Sequence, residues 1–126
     1  MAKILVVDDD IDLLDMSKEE IEGLMPEDVI VVTARTLAEA KQTIDEDKDR
    51  EIGIAIIDME LGDERGIELI NYIKAKKLQI SIIATSGVPR YALDAINAGA
   101  EEFLLKPRRI AELIAEAAKK YGHSQI

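Results

Sequence analysis

Ile4-Leu5-Val6-Val7-Asp8-Asp9-Asp10 is an apolar run that breaks off at three consecutive carboxylates. A strand covered on both faces needs continuous apolarity, and the abrupt change to charge marks where it emerges at the sheet edge. Ile56-Ile57-Asp58 and Leu104-Leu105-Lys106-Pro107 repeat the pattern later in the chain. In open parallel α/β sheets, ligands bind in the crevice outside the carboxyl ends of the strands. If these strands are neighbours, Asp8, Asp9 and Asp58 converge with Lys106 beside them. Carboxylates brought that close resist joint ionisation unless positive charge compensates them, so a hard divalent cation with oxygen ligands is the natural occupant.

Between these landmarks, apolar runs alternate with helical patterns, the signature of a parallel sheet with crossover helices. Strands are predicted at Ile4 to Val7, Val29 to Thr33, Ile54 to Ile57, Ile80 to Thr85 and Glu102 to Leu105. Leu13, Leu14, Ser17, Ile21 and Leu24 recur at helical spacing until Pro26 ends the segment. Thr36-Leu37-Ala38-Glu39 has the form of a capping box and opens a helix with Leu37, Ala40 and Ile44 on one face. Asp45 to Glu51 reads as a charged connection and Gly62-Asp63-Glu64-Arg65-Gly66 as a loop. Ile67, Ile70 and Ile73 mark a helix to about Lys76, and Ser86 to Pro89 a loop. Tyr91 to Ala98 is a short helix closed by Gly99, and a final helix spans about Ile110 to Tyr121. These units fill residues 1–126 as one domain. The leading architecture is a flavodoxin-like, doubly wound, five-stranded parallel sheet of order 2-1-3-4-5 with helices on both faces, which sets the first and third strands side by side at the switch point.

Composition excludes several functional classes. Apolar residues make up 48% and charged residues 33% of 126, an ordinary globular balance. With no cysteine there are no disulfides, thiolate metal sites or cysteine nucleophiles, and the single histidine, His123, disfavours multi-histidine metal sites. A net charge of −10 opposes direct nucleic-acid binding. Lys74, Lys76, Lys77, Lys119 and Lys120 read as solvated helix C-termini, where cations complement the macrodipole. Met1-Ala2-Lys3 runs straight into the first strand and no later stretch reaches membrane-spanning length, so a cytoplasmic location without membrane insertion is expected.

Taken together and in order, Ile4-Leu5-Val6-Val7-Asp8-Asp9-Asp10, Ile57-Asp58, Ala98-Gly99-Ala100 and Lys106-Pro107 resemble the receiver domain of two-component response regulators over essentially the whole chain. The resemblance implies that Asp58 accepts a phosphoryl group from a histidine kinase or histidine phosphotransfer protein, with Mg²⁺ as cofactor. It implies that Asp8, Asp9, Asp58 and the backbone carbonyl of Glu60 hold the metal. Lys106 and Ser86 would contact the phosphoryl oxygens, with Thr85 a competing assignment that strand alternation and the Ser86-Gly87 pair disfavour. Ser86 and Phe103 would form the switch that alters affinity for a downstream output protein. The domain is expected as a monomer or a weak, phosphorylation-dependent dimer, and the Lys106-Pro107 bond as a cis peptide aiming Lys106 into the crevice.

Each part has a physical rationale and an alternative. An ionised carboxylate is a competent oxygen nucleophile toward phosphorus, and cations positioned around the transferring group stabilise its charge. Asp8-Asp9-Asp10 could instead act as an acidic helix cap, and Ser86 as a turn residue. Gly62 stands where the family usually has proline and Arg65 where it often has aspartate; the fourth βα segment is about two residues short. Arg108-Arg109 reads as a solvated pair. Two other functions are weighed: a phosphorylation-independent interaction module, and a Mg²⁺-dependent phosphohydrolase. The latter is disfavoured because Glu60, two residues beyond Asp58, is expected to point away from its face. A flavodoxin-type cofactor binder is weaker still, since no Ser/Thr/Gly-rich phosphate loop follows the first strand.

Overall fold

The computed structural model describes residues 2–25, 28–106 and 116. Pro26, Pro107, the pair Arg108-Arg109, Lys119, Lys120, His123 and all of the expected final helix except Glu116 therefore lie outside the described residues. In chain order the elements are β1 (Lys3–Val7), α1 (Ile11–Leu24), β2 (Ile30–Ala34), α2 (Leu37–Glu46), β3 (Ile52–Asp58), β4 (Glu60–Leu61), β5 (Glu64–Arg65), α3 (Ile67–Ala75), β6 (Ser81–Ser86), α4 (Tyr91–Ala98) and β7 (Glu102–Leu105).

Five strands form one parallel sheet of order β2-β1-β3-β6-β7, which is the expected 2-1-3-4-5 once the two short strands β4 and β5 are set aside. Strand alternation divides its side chains between two apolar layers. Leu5, Val7, Ala55, Ile57, Ile82 and Ala84 pack with buried residues of α2, α3 and α4, while Ile4, Val6, Ile54, Ile56 and Ile83 pack with Leu13, Leu14 and Ile21 of α1. Covering both faces explains why β1 and β3 read as unbroken apolar runs.

The helix signals correspond to real caps. Asp10 caps α1, its side chain accepting from the N–H groups of Asp12 at 3.0 Å and Leu13 at 3.3 Å. The Thr36 hydroxyl oxygen accepts from the Glu39 N–H at 3.1 Å, satisfying one of the orphan donors at the start of α2. Gly99 ends α4 at φ 118°, a conformation that side chains with a Cβ rarely adopt.

Four details differ from the sequence expectation. Leu24 is exposed, leaving Leu13, Leu14, Ser17 and Ile21 as the buried stripe of α1. β2 and β6 each begin and end one residue later than predicted, β1 begins one residue earlier, and β3 begins two residues earlier and ends one later. The Gly62 to Gly66 loop contains a tiny antiparallel hairpin, β4 with β5. Finally, Asp47 in the charged connection is buried because its carboxylate takes the N–H groups of Glu51 at 3.0 Å and Ile52 at 2.9 Å, fixing the entry to β3.

Candidate functional site

Parallel pairing of β1 with β3 runs from Lys3–Ile52 to Val7–Ile57, so the next residue of each strand, Asp8 and Asp58, emerges at the same edge. Asp58 is paired with Thr85 on the other side, and Leu105 with Ser86. A backbone bond of 2.8 Å from the Lys106 N–H to the Ser86 carbonyl carries the pairing one residue further and delivers Lys106 to that edge.

One carboxylate oxygen from each of Asp8, Asp9 and Asp58 can be chosen so that the three lie within 4.8 Å of one another. Asp8 and Asp58 are buried and Asp9 is exposed. Lys106 Nζ bridges the two buried acids, donating to Asp8 Oδ2 at 2.6 Å and to Asp58 Oδ2 at 3.0 Å. The other oxygens are oriented locally: Asp8 Oδ1 accepts from the Asp10 N–H at 2.9 Å and Asp58 Oδ1 from the Glu60 N–H at 3.0 Å. Asp10 caps α1 while Asp8 and Asp9 face the crevice, so the capping and clustering readings of this triplet both hold, on different residues.

The charges do not balance. Burial pushes the Asp58 carboxyl up to about 6; the Glu60 N–H pulls it down, Asp8 adds to the rise, and Lys106 only partly offsets it. Burial also works against the Lys106 ammonium, but its bonds to Asp8 and Asp58 and their charges outweigh that and hold it above the ordinary lysine range. Three carboxylates around one ammonium leave excess negative charge facing oxygen donors, an arrangement suited to a hard divalent cation. Among the described residues, no side chain donates to Asp9, which leaves its oxygens available.

Two glycines shape the space differently. A Cβ on Gly66 would overlap the Asp58 carbonyl oxygen and sit 2.8 Å from its carbonyl carbon, so the start of α3 presses directly on the Asp58 backbone. Nothing lies within 4 Å of a Cβ on Gly87, in keeping with open room beside Ser86.

Ser86 is fully buried, and its hydroxyl is bonded away from Asp58: it donates to Glu60 Oε1 at 3.2 Å and accepts from the Val88 N–H at 3.0 Å. Glu60 is expected from the sequence to point away from the face of Asp58, and its carboxylate instead has a specific partner at the site, the Ser86 hydroxyl. The chain leaves β3 after Asp58 and turns into the hairpin, which brings the Glu60 carboxylate over Ser86. Phe103 is half-buried, pairs with Ala84 in the sheet and packs against the layer covered by α2, α3 and α4. One contributor was missed: Glu64 Oε1 accepts from the Leu37 N–H at 3.1 Å, tying the hairpin to the start of α2.

Comparison with known proteins agrees with this geometry. The sequence profile of the response regulator receiver domain matches residues 4–118. Chemotaxis protein CheY of Listeria monocytogenes is 31% identical over 124 residues, covering 94% of this chain and 100% of that protein. Sensory transduction protein LytT of Bacillus anthracis is 30% identical over 124 residues, covering 96% of this chain but 47% of LytT. The chain thus spans about half the length of LytT. Among solved structures, response regulator protein TrrA of Thermotoga maritima in complex with Mg²⁺-BeF is 29% identical with a TM-score of 0.79, covering 96% of this chain and 99% of that one. Among the described residues, no helix is long and apolar enough to cross a membrane. From the acidic cluster at the β1/β3 switch point to the match along its length, this chain belongs to the response regulator receiver domain family, the phosphoacceptor signalling switches of two-component systems.

Proposed function

We propose that Asp58 is the phosphoacceptor, working with Mg²⁺ held by Asp8, Asp9, Asp58 and the Glu60 backbone carbonyl. The observation that carries this reading is the convergence of the three carboxylates within 4.8 Å with Lys106 bridging Asp8 and Asp58. The Mg²⁺-BeF complex of TrrA supports the same ion here. When bound, the ion supplies positive charge that favours the ionised carboxylates and offsets charge on the phosphoryl oxygens.

An oxygen of the ionised Asp58 carboxylate attacks phosphorus of a phosphohistidine on the kinase or histidine phosphotransfer protein. An acyl phosphate O–P bond forms, the N–P bond breaks, and the histidine nitrogen leaves with its electron pair. Lys106, already bonded to Asp58, turns one donor toward a phosphoryl oxygen. Ser86 supplies a hydroxyl donor to another once it leaves Glu60. Phe103 then repacks beside Ala84, changing the surface that α4 and β7 present to a downstream output protein. The domain works in the cytoplasm, as a monomer or a weak dimer that forms on phosphorylation.

Incubation with Mg²⁺ and a small phosphodonor, read by intact mass, tests this. A single phosphoryl adduct that Asp58→Asn abolishes is expected. Absence of any adduct would favour the phosphorylation-independent interaction module, and steady turnover of diverse phosphomonoesters the hydrolase.

A further inference from the structure

At the N-terminal edge of the sheet, opposite the acidic cluster, lies a cavity of about 410 Å³. Ile44, Leu78 and Ile80, all of the layer covered by α2, α3 and α4, give it an apolar lining, and Lys3, Arg50 and Lys77 also line it. Its volume falls within the range of small-molecule sites, roughly 300–1,000 Å³.

Two of those cations hold an uncommon backbone conformation. Arg50 at φ 55° and Lys77 at φ 56° are the positive-φ non-glycine residues among those described. Lys77 follows α3, where its N–H bonds the Lys74 carbonyl at 3.0 Å and the Leu78 N–H bonds that of Ile73 at 3.3 Å. Helices closed this way favour glycine at that position, and α4 in this chain uses Gly99 for its own left-handed closure. Arg50 lies in the turn after α2, its N–H on the Asp47 carbonyl at 3.2 Å. A long cationic side chain is thus placed twice where glycine would relieve strain, both times against one cavity.

These cations are not repaid by ion pairs: among the described residues, Lys3, Arg50 and Lys77 form none. Asp47 also lines the cavity, but its carboxylate already accepts two backbone N–H groups, and Glu51, the other acid, has an interaction of its own. In a chain of net charge −10, three cations around one apolar hollow form a local exception.

We propose that this cavity binds a small organic anion, with a compact apolar body against Ile44, Leu78 and Ile80 on one face of the sheet and an acidic head at Arg50 and Lys77. The site is separate from the acidic cluster and does not depend on phosphorylation of Asp58.

The probe is 1-naphthalenesulfonate, titrated into the full chain by amide NMR, with 1-naphthol as its uncharged counterpart. Saturable shifts at Lys3, Gly53 and Leu78 are expected, with the sulfonate bound about tenfold more tightly than the naphthol. Arg50→Gly and Lys77→Gly separate binding from folding, because glycine relaxes the left-handed backbone. Each variant should melt at the same or a higher temperature yet bind the sulfonate about threefold to tenfold more weakly. Shifts centred elsewhere, absence of saturation, or glycine variants that bind as tightly as wild type would overturn the proposal.

Discussion

The Ser86 hydroxyl is committed to Glu60: Oγ donates to Glu60 Oε1 at 3.2 Å across a sequence separation of 26, the fold having brought the end of β6 under the hairpin that follows Asp58. A phosphoryl oxygen on Asp58 must therefore compete with a carboxylate for that proton. The competitor is exposed and can swing into water, so the bond restrains Ser86 without locking it.

Removing the competitor should speed phosphorylation. Glu60→Ala frees the hydroxyl and deletes a negative charge beside an incoming anion, whereas Glu60→Gln deletes the charge but keeps an acceptor for Ser86. Adduct formation from a small phosphodonor is expected to rise about threefold to tenfold in Glu60→Ala, a barrier change near 1 kcal/mol, and less in Glu60→Gln. Stopped-time intact mass measures both. Equal rates in all three proteins would mean that Glu60 does not restrain the site.

Asp58 gives the metal-free protein a distinct pH dependence. Burial raises its carboxyl from 3.8 to about 6, so the folded state holds this proton to higher pH than the unfolded chain does. This group therefore costs stability at neutral pH, and the cost disappears as pH falls from about 6 toward 4. Asp58→Asn, which stays neutral, should be more stable than wild type by about 1–2 kcal/mol at pH 7 in chelator, after allowing for water in the crevice. The difference should vanish near pH 4. Urea unfolding across that range checks it, and a gap independent of pH would contradict the linkage.

Apolar strand runs were legible because burial on both faces leaves no alternative composition for β1 and β3. The acidic crevice was legible because strand ends and switch-point topology together fix where Asp8, Asp9 and Asp58 meet. What the sequence left open are bonds between distant segments. Nothing local ties Glu64 to Leu37, and Asp47 looked like one more solvated acid until its two backbone partners were seen. The hairpin did have a signal: Gly62-Asp63 between Leu61 and Glu64 is a two-residue turn sequence, and Gly62 has φ 61°. That angle is also incompatible with the proline usual in the family at this place.

Gly66 and Gly87 form a matched pair of tests. Gly66→Ala drives a methyl group into the Asp58 carbonyl, which is backbone and cannot rotate aside. A loss of about 1–3 kcal/mol is expected, together with weaker Mg²⁺ binding as Asp58 shifts. Gly87→Ala meets nothing within 4 Å and should fold as wild type does. Thermal melts and metal titration distinguish the two, and a Gly66→Ala protein as stable as Gly87→Ala would refute the packing argument.

Lys106 should determine how strongly the fold depends on a cation. Its ammonium bonds Asp8 at 2.6 Å and Asp58 at 3.0 Å, and both carboxylates are buried. Lys106→Met keeps much of the side-chain volume but leaves two close carboxylates with no positive partner, a loss of about 1–3 kcal/mol in chelator for a pair that water partly reaches. Asp58 must then bind its proton still more tightly, because the ammonium that opposed the rise has gone. A divalent cation at the cluster supplies the missing charge, and whatever binds only the folded state stabilises it. Saturating Mg²⁺ should therefore raise the melting temperature of Lys106→Met by more than that of wild type. Adding Asp58→Asn to Lys106→Met should recover stability in chelator and reduce the Mg²⁺ increment together, since one substitution removes both the repulsion and a ligand. Melting curves of the three proteins with and without Mg²⁺ measure these effects, and equal increments in wild type and Lys106→Met would show that the ion binds elsewhere.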